Sequence, residues 1–308
     1  MDMHVPSALL KATRNPAAFE AGPNIDFFCS EQLSATYNSD TRAIWLRLDP
    51  QPRPSFNPEL LRDLGTYCRL VAETDARVDF RGEERPVEYA VLASATPGVF
   101  NLGGDLSLFM QLIEAGDREG LTRYGRACVD VLYRNYIGHG LPIQTISLVQ
   151  GECLGGGFEA ALSSDLIIAE RSSRFGFPEI LFNLFPGMGA YSFLERRVGR
   201  RQAENLISSG KILTADDMLH LGIVDAVVED GAGETEVEAL IRRNQRSRNG
   251  LTGIARTRRR VSGLDFQELM DVVCIWVDTA LQLKPRDLKL MHRLVSRQNE
   301  IGIGESVH

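Results

Sequence analysis

The sequence predicts an α/β fold followed by a helical C-terminal region. Strand-like and helix-like segments alternate from residue 43 to residue 228, the pattern of a core with crossover connections. The two richest glycine runs each leave a strand-like segment and lead into a helical one. From about residue 232 onward, apolar residues recur almost wholly at helical spacing.

Taken in order, residues 1–40 read as a lead-in, with room for an edge strand. AIWLRL (43–48) is the first clear strand, and a proline-rich turn follows it. Leu60, Leu64, Tyr67 and Val71 share one face of a helix over 59–72. Residues 73–88 carry nine charges in sixteen positions and read as a solvated loop or flap. YAVLAS (89–94) is a buried-type strand, and Asp105 is placed to cap the helix after the next loop. A helix is expected over 118–137, then strands at 143–149, 165–169 and 175–179, helices within 187–208 and 214–220, and a short strand at 223–228. In the tail, helices are expected at 264–281 and 286–299, on either side of Pro285. The chain thus divides into a lead-in (1–40), an α/β core (41–230) and a helical region (231–308) that covers its own core or a neighbouring subunit.

Composition narrows the function. The 308 residues carry a net charge of -7, which disfavours a nucleic-acid or anionic-membrane footprint. No run of eighteen apolar residues occurs, so no membrane span is expected. The N-terminus lacks a secretory-signal pattern, and five cysteines without a CxxC pair fit reduced thiols in the cytoplasm. The five histidines form no zinc pattern, so no metal is expected. Arginine is concentrated at 242–260, with eight in nineteen residues; this stretch could meet an acidic carrier protein or a phosphate, or be a helix surface making salt bridges.

Asn101-Leu102-Gly103-Gly104-Asp105 and Gly151-Glu152-Cys153-Leu154-Gly155-Gly156-Gly157-Phe158-Glu159 are the chemically suggestive loops. Glycine lets a ligand approach the backbone closely, and helix N-termini offer unpaired amides. Two such amides aimed at one oxygen would form an oxyanion hole, although structural turns look the same. Neither GxGxxG nor GxxxxGK[ST] is present. Glu159 and Glu179, read alone, are a first-turn helix glutamate and a strand-end polar residue. Cys153 reads as a packed thiol or a group near substrate, and Glu152 as a surface or supporting residue.

These loops, followed by Pro178-Glu179 and Phe185-Pro186-Gly187-Met188-Gly189, resemble the crotonase (enoyl-CoA hydratase/isomerase) superfamily. The stretches 100–106, 148–170, 178–193 and 275–280 are most similar to its diffusible signal factor synthases, which make cis-2-unsaturated fatty acids. The resemblance implies a spiral of ββα units with a C-terminal helical region, assembled as trimers or dimers of trimers. It implies an oxyanion hole from the Gly104 and Gly156 amides, Glu179 as base at C2, and Glu159 as acid toward the 3-hydroxyl. It implies no cofactor, and a substrate carried as a thioester on acyl-carrier protein or CoA, with a sensor protein as a further partner. Dehydration of a 3-hydroxyacyl thioester, then its hydrolysis to a free acid signal, is the leading expectation. An ordinary enoyl-CoA hydratase/isomerase and a non-catalytic binding subunit are the alternatives. Leu108, Phe109, Leu181, Phe182, Leu184, Phe185 and Met188 are candidates for the acyl pocket wall, though core packing explains such residues equally well.

Overall fold

The computed structural model describes residues 22–303, with side chains described through Ser296. Residues 1–21 of the lead-in and 304–308 lie outside the described residues. A seven-stranded sheet runs β1 (Asn24–Cys29), β2 (Leu33–Asn38), β3 (Ala43–Leu48), β6 (Tyr89–Ser94), β8 (Gln144–Val149), β10 (Leu166–Glu170), β13 (Ala226–Val228) in spatial order. From β3 outward to β13 the pairs are parallel; β1, β2 and β3 pair antiparallel. A four-stranded sheet runs β12 (Ile212–Thr214), β11 (Arg174–Gly176), β9 (Glu152–Leu154), β7 (Val99–Asn101).

The strands alternate between sheets. β6 feeds β7, β8 feeds β9 and β10 feeds β11, while β6, β8 and β10 are neighbours in one sheet and β7, β9 and β11 in the other. The chain therefore winds as a spiral, one ββ step per turn. A helix follows two of these steps: α2 (Leu106–Glu114), leading to α3 (Arg118–Tyr136), and α4 (Gly156–Leu162). After β11 a 3₁₀ turn (Pro178–Phe182) precedes α5 (Ala190–Val198) and α6 (Arg200–Ser209). β8 lies mid-sheet and is buried at all six positions, which explains its unbroken apolar and small-polar reading. Ile44, Leu46 and Leu48 of β3 face the main core with α1 (Pro58–Glu73), while Ala43 and Trp45 face a smaller cluster closed by Val237 and Ile241 of α8 (Gly233–Asn244).

Several expectations are corrected. The charged segment 73–88 is no loop; it forms a hairpin of β4 (Arg77–Phe80) and β5 (Glu83–Pro86), in which Val78 is the buried strand residue. Most of its other side chains face outward, with Phe80 half-buried edge-on against Tyr37 and Val87 buried just after β5, so no apolar periodicity marks it. The two glycine-bearing loops each contain a three-residue strand, β7 and β9, too short to show a pattern. By contrast, the helices expected within 187–208 are present as α5 and α6, parted at Gly199, whose φ is +80°. Among the described residues the lead-in supplies two strands rather than one, and they extend the main sheet.

The helical tail is α9 (Arg248–Val261), α10 (Phe266–Ala280) and α11 (Pro285–Ile303). α10 packs on α3 and α11 on α2, so within this chain the tail covers its own core. Among the described residues no helix is long and apolar enough to cross a membrane.

Candidate active site

Asn101 ends β7, and its Oδ1 accepts the Gly103 N–H at 2.8 Å, folding the chain back at once. Gly103 has φ +98°, and a Cβ there would lie 3.0 Å from the Gly156 nitrogen. The loops are thus pressed together backbone to backbone. The Phe56 N–H donates to the Gly103 carbonyl at 2.8 Å, which pins the first loop from the other side. Asp105 then caps α2 as expected, accepting the Ser107 and Leu108 amides at 3.1 Å, and pairs with Arg53 at 3.1 Å.

Gly156 opens α4, so its N–H is among those a helix leaves without an internal partner. A Cβ on Gly156 would lie 3.4 Å from the Gly104 nitrogen. The two amides that the motifs single out are therefore close neighbours in space, from different turns of the spiral.

Both glutamates reach this point. Glu159 is 2% exposed, and its Oε1 accepts the Met188 and Ala190 amides at 2.8 and 3.0 Å, at the start of α5. Burial raises its pKa to about 7, and the two amides restrain the rise. Glu179 opens the 3₁₀ turn after β11; its Oε2 is buried with no hydrogen-bond partner among the described residues. Burial first, and then the Glu159 charge, raise its pKa to about 8. A Cβ on Gly155, whose φ is +51°, would stand 2.5 Å from Glu179 Oε1. Glycine at 155 is what lets that carboxyl sit against the second loop.

Gly104, Gly156, Glu159 and Glu179 line one cavity of about 730 Å³. Of the expected acyl-wall residues, Phe109, Phe182, Leu184, Phe185 and Met188 line it too. Leu108 and Leu181 do not; Leu181 is 56% exposed beside Gly210, and Leu108 lies outside the wall. The sequence reading missed Tyr124, Cys128 and Trp276, which also line the cavity. Trp276 packs edge-on against Phe109 at 5.1 Å and fills the space beside Gly187, where a Cβ would lie 2.3 Å from its indole. Its presence in the 275–280 stretch was the only available signal. Cys153 is fully buried on β9 and outside the cavity wall, and burial pushes its thiol well up. In the arginine stretch, Arg242, Arg243, Arg258 and Arg259 pair with acidic side chains of this chain, and Arg248 donates to the Glu88 and Pro142 carbonyls. Among the described residues no cluster of His, Cys, Asp or Glu could hold a metal ion.

The arrangement can hold a carbonyl oxygen at two amides with two high-pKa carboxyls alongside, which suits proton transfer next to that carbonyl. The family described as enoyl-CoA hydratase/isomerase matches residues 69–252. An enoyl-CoA hydratase structure from Geobacillus kaustophilus covers 92% of this chain and 95% of its own, with 18% identity and a TM-score of 0.67. One from Bacillus halodurans covers 85% and 100%, with 20% identity and a TM-score of 0.69. DspI from Pseudomonas aeruginosa covers 76% and 83%, with 22% identity and a TM-score of 0.63. At these identities the structures establish the spiral fold with its helical tail, and nothing narrower.

Proposed function

The chain belongs to the enoyl-CoA hydratase/isomerase family, and from that premise we propose that it is a hydratase of 2-enoyl thioesters. The observation that carries this reading is the split environment of the two carboxyls. Glu159 has two amides favouring its ionised form, whereas Glu179 has a buried oxygen with no partner. When the pair shares one proton, it resides on Glu179. Glu159 then takes a proton from water as the hydroxyl adds to C3, and Glu179 delivers its proton to C2. Charge that builds on the thioester oxygen in between is held by the Gly104 and Gly156 amides, a contribution worth about 2.7–4 kcal/mol per donor. In the reverse direction the same groups dehydrate a 3-hydroxyacyl thioester, with Glu179 as base and Glu159 as acid.

The test is turnover of 2-enoyl-CoA, followed by loss of the enoyl absorbance. E159Q and E179Q should each lose roughly 10²–10⁴-fold in kcat. Turnover unchanged in both variants would refute the assignment, whereas no turnover by the wild type with thioester binding retained would favour the non-catalytic binding subunit.

A second reading draws on the similarity of 100–106, 148–170, 178–193 and 275–280 to the signal factor synthases. Here dehydration of a 3-hydroxyacyl-carrier-protein gives a cis-2-enoyl thioester, and a water activated by Glu159 cleaves it. The same two amides would serve the tetrahedral intermediate. Mass spectrometry separates the readings: free 2-enoic acid supports the synthase, whereas product that stays a thioester supports the hydratase. A homotrimer or dimer of trimers, a cytoplasmic location and a sensor-protein partner accompany this proposal; light scattering tests the first.

A further inference from the structure

A second, smaller cavity adjoins the catalytic one. Phe56, Val131 and Leu132 are walls of both. The two follow one another along the same helices. On α4, Glu159 faces the first, while Ala160 and Ser163 face the second. On α3, Tyr124 and Cys128 face the first and Asn135 the second; the step from Tyr124 to Asn135 spans about 16 Å of helix.

His139 lines this second cavity and is unusual in two respects. It is 6% exposed, and neither ring nitrogen finds a hydrogen-bond partner among the described residues. It also adopts φ +57°, between Gly138 at +62° and Gly140 at +75°, a conformation uncommon for a residue with a side chain. Strain and an unmatched buried polar group together mark a position held for something other than packing. The Tyr67 ring meets the imidazole edge-on at 5.9 Å and holds its plane. Burial, with the Arg134 and Arg259 charges, pushes its pKa down to about 4. The ring is therefore neutral at ordinary pH, with one nitrogen donating and the other accepting.

What would match it follows from the walls. No charged side chain lines the cavity, so a carboxylate or ammonium would be unbalanced there. A plain methyl end would fill the space and leave the imidazole unmatched. A hydroxyl is uncharged, and either donates or accepts.

We infer that the second cavity is a distal acyl subsite for a chain bearing a hydroxyl at its far end, with His139 as the hydroxyl's hydrogen-bond partner. Phe56, Val131 and Leu132 stand between the two cavities, and the acyl chain enters the second by displacing them. This inference rests on the acyl-thioester reading above, and its test separates the two. Calorimetry on the purified full chain compares saturated dodecanoyl-CoA with 12-hydroxydodecanoyl-CoA, neither of which can be hydrated or dehydrated, with mass spectrometry checking that both thioesters stay intact, while crotonyl-CoA turnover is followed alongside. The hydroxylated chain should bind about 2–10-fold more tightly to the wild-type protein. His139→Gly, which suits the backbone and removes the ring, should erase that preference. His139→Asn, which also tolerates positive φ, should keep part of it. Equal binding of both chains to the wild type, or an undiminished preference in His139→Gly, overturns the subsite. Absent crotonyl-CoA turnover with the binding preference intact would refute the reaction and leave the subsite standing.

Discussion

At Glu179 the fold withholds what a carboxylate needs, and the consequence is measurable. Its pKa is raised from the ordinary 4.5 to about 8, so the folded protein keeps the carboxyl protonated where the unfolded chain has released it. That group's contribution is fully present below the unfolded value and is lost as pH rises through about 8. Replacing it with neutral Gln removes the ionisable group. E179Q should match the wild type in thermal stability near pH 5 and exceed it increasingly toward pH 9, by on the order of 2 kcal/mol, while activity falls. Parallel stability–pH curves for the two proteins would contradict the buried-carboxyl account. Gly155→Ala tests the same group from the backbone side. The methyl would displace Glu179 Oε1, and φ +51° with ψ -124° lies outside the left-handed well open to alanine, a backbone cost on the order of 1–3 kcal/mol. A folded variant with kcat down at least tenfold is expected, and circular dichroism checks the fold. The two glutamates were visible in the sequence only because the flanking motif set is distinctive. Gly155 was seen as part of a glycine run, but its role was not, because the partner lies 24 residues away and reaches it through another turn of the spiral.

Elements whose stability is local were readable, and elements that depend on a distant surface were not. The Asp105 cap is the clearest local case: one side chain accepts two free amides of α2, and the residue types alone announce it. Asp105→Ala should lower stability by about 1 kcal/mol and reduce kcat, since α2 begins directly after the Gly104 amide. A melting curve with paired kinetics checks it; a stability loss with kcat untouched would mean that the bonds of Phe56 and Asn101 to Gly103 hold the loop without the cap. β4 and β5 show the opposite case. They pair in register from Arg77–Pro86 to Phe80–Glu83, yet most of their side chains meet water. A hairpin that buries so little has no reason to carry an apolar pattern, so charge density was misread as irregularity. The lining role of Trp276 and Tyr124 was hidden for the same reason, because α10 and α3 are far apart in sequence and meet only through the tertiary fold.

Across the whole molecule, the helical tail must be tied to the spiral, and a single carboxylate does much of this. Asp165 stands just before β10 with its side chain 4% exposed. Its Oδ2 accepts the Thr145 amide of β8 at 3.0 Å and Arg259 at 2.6 Å, and its Oδ1 accepts Arg258. Both arginines belong to α9, so sheet and tail share one anion. The sequence flagged this arginine stretch but left open whether a partner's charge or a salt bridge answers it. For Arg258 and Arg259 the answer lies inside the chain. Asp165→Asn would leave their charges unbalanced near Arg197, which is itself held mostly out of water. Stripping one partner from a buried ion pair costs 3–5 kcal/mol; since Arg258 is 46% exposed, about 3 kcal/mol is the better expectation. α9 lines neither cavity, so the loss should fall on the tail and not on the chemistry. Hydrogen exchange should quicken over residues 248–261, the melting temperature should drop, and kcat at low temperature should stay near the wild-type value. Unchanged exchange in α9 would show that packing alone holds the tail, whereas a collapse of kcat would mean that the sheet end positions Glu159 through α4.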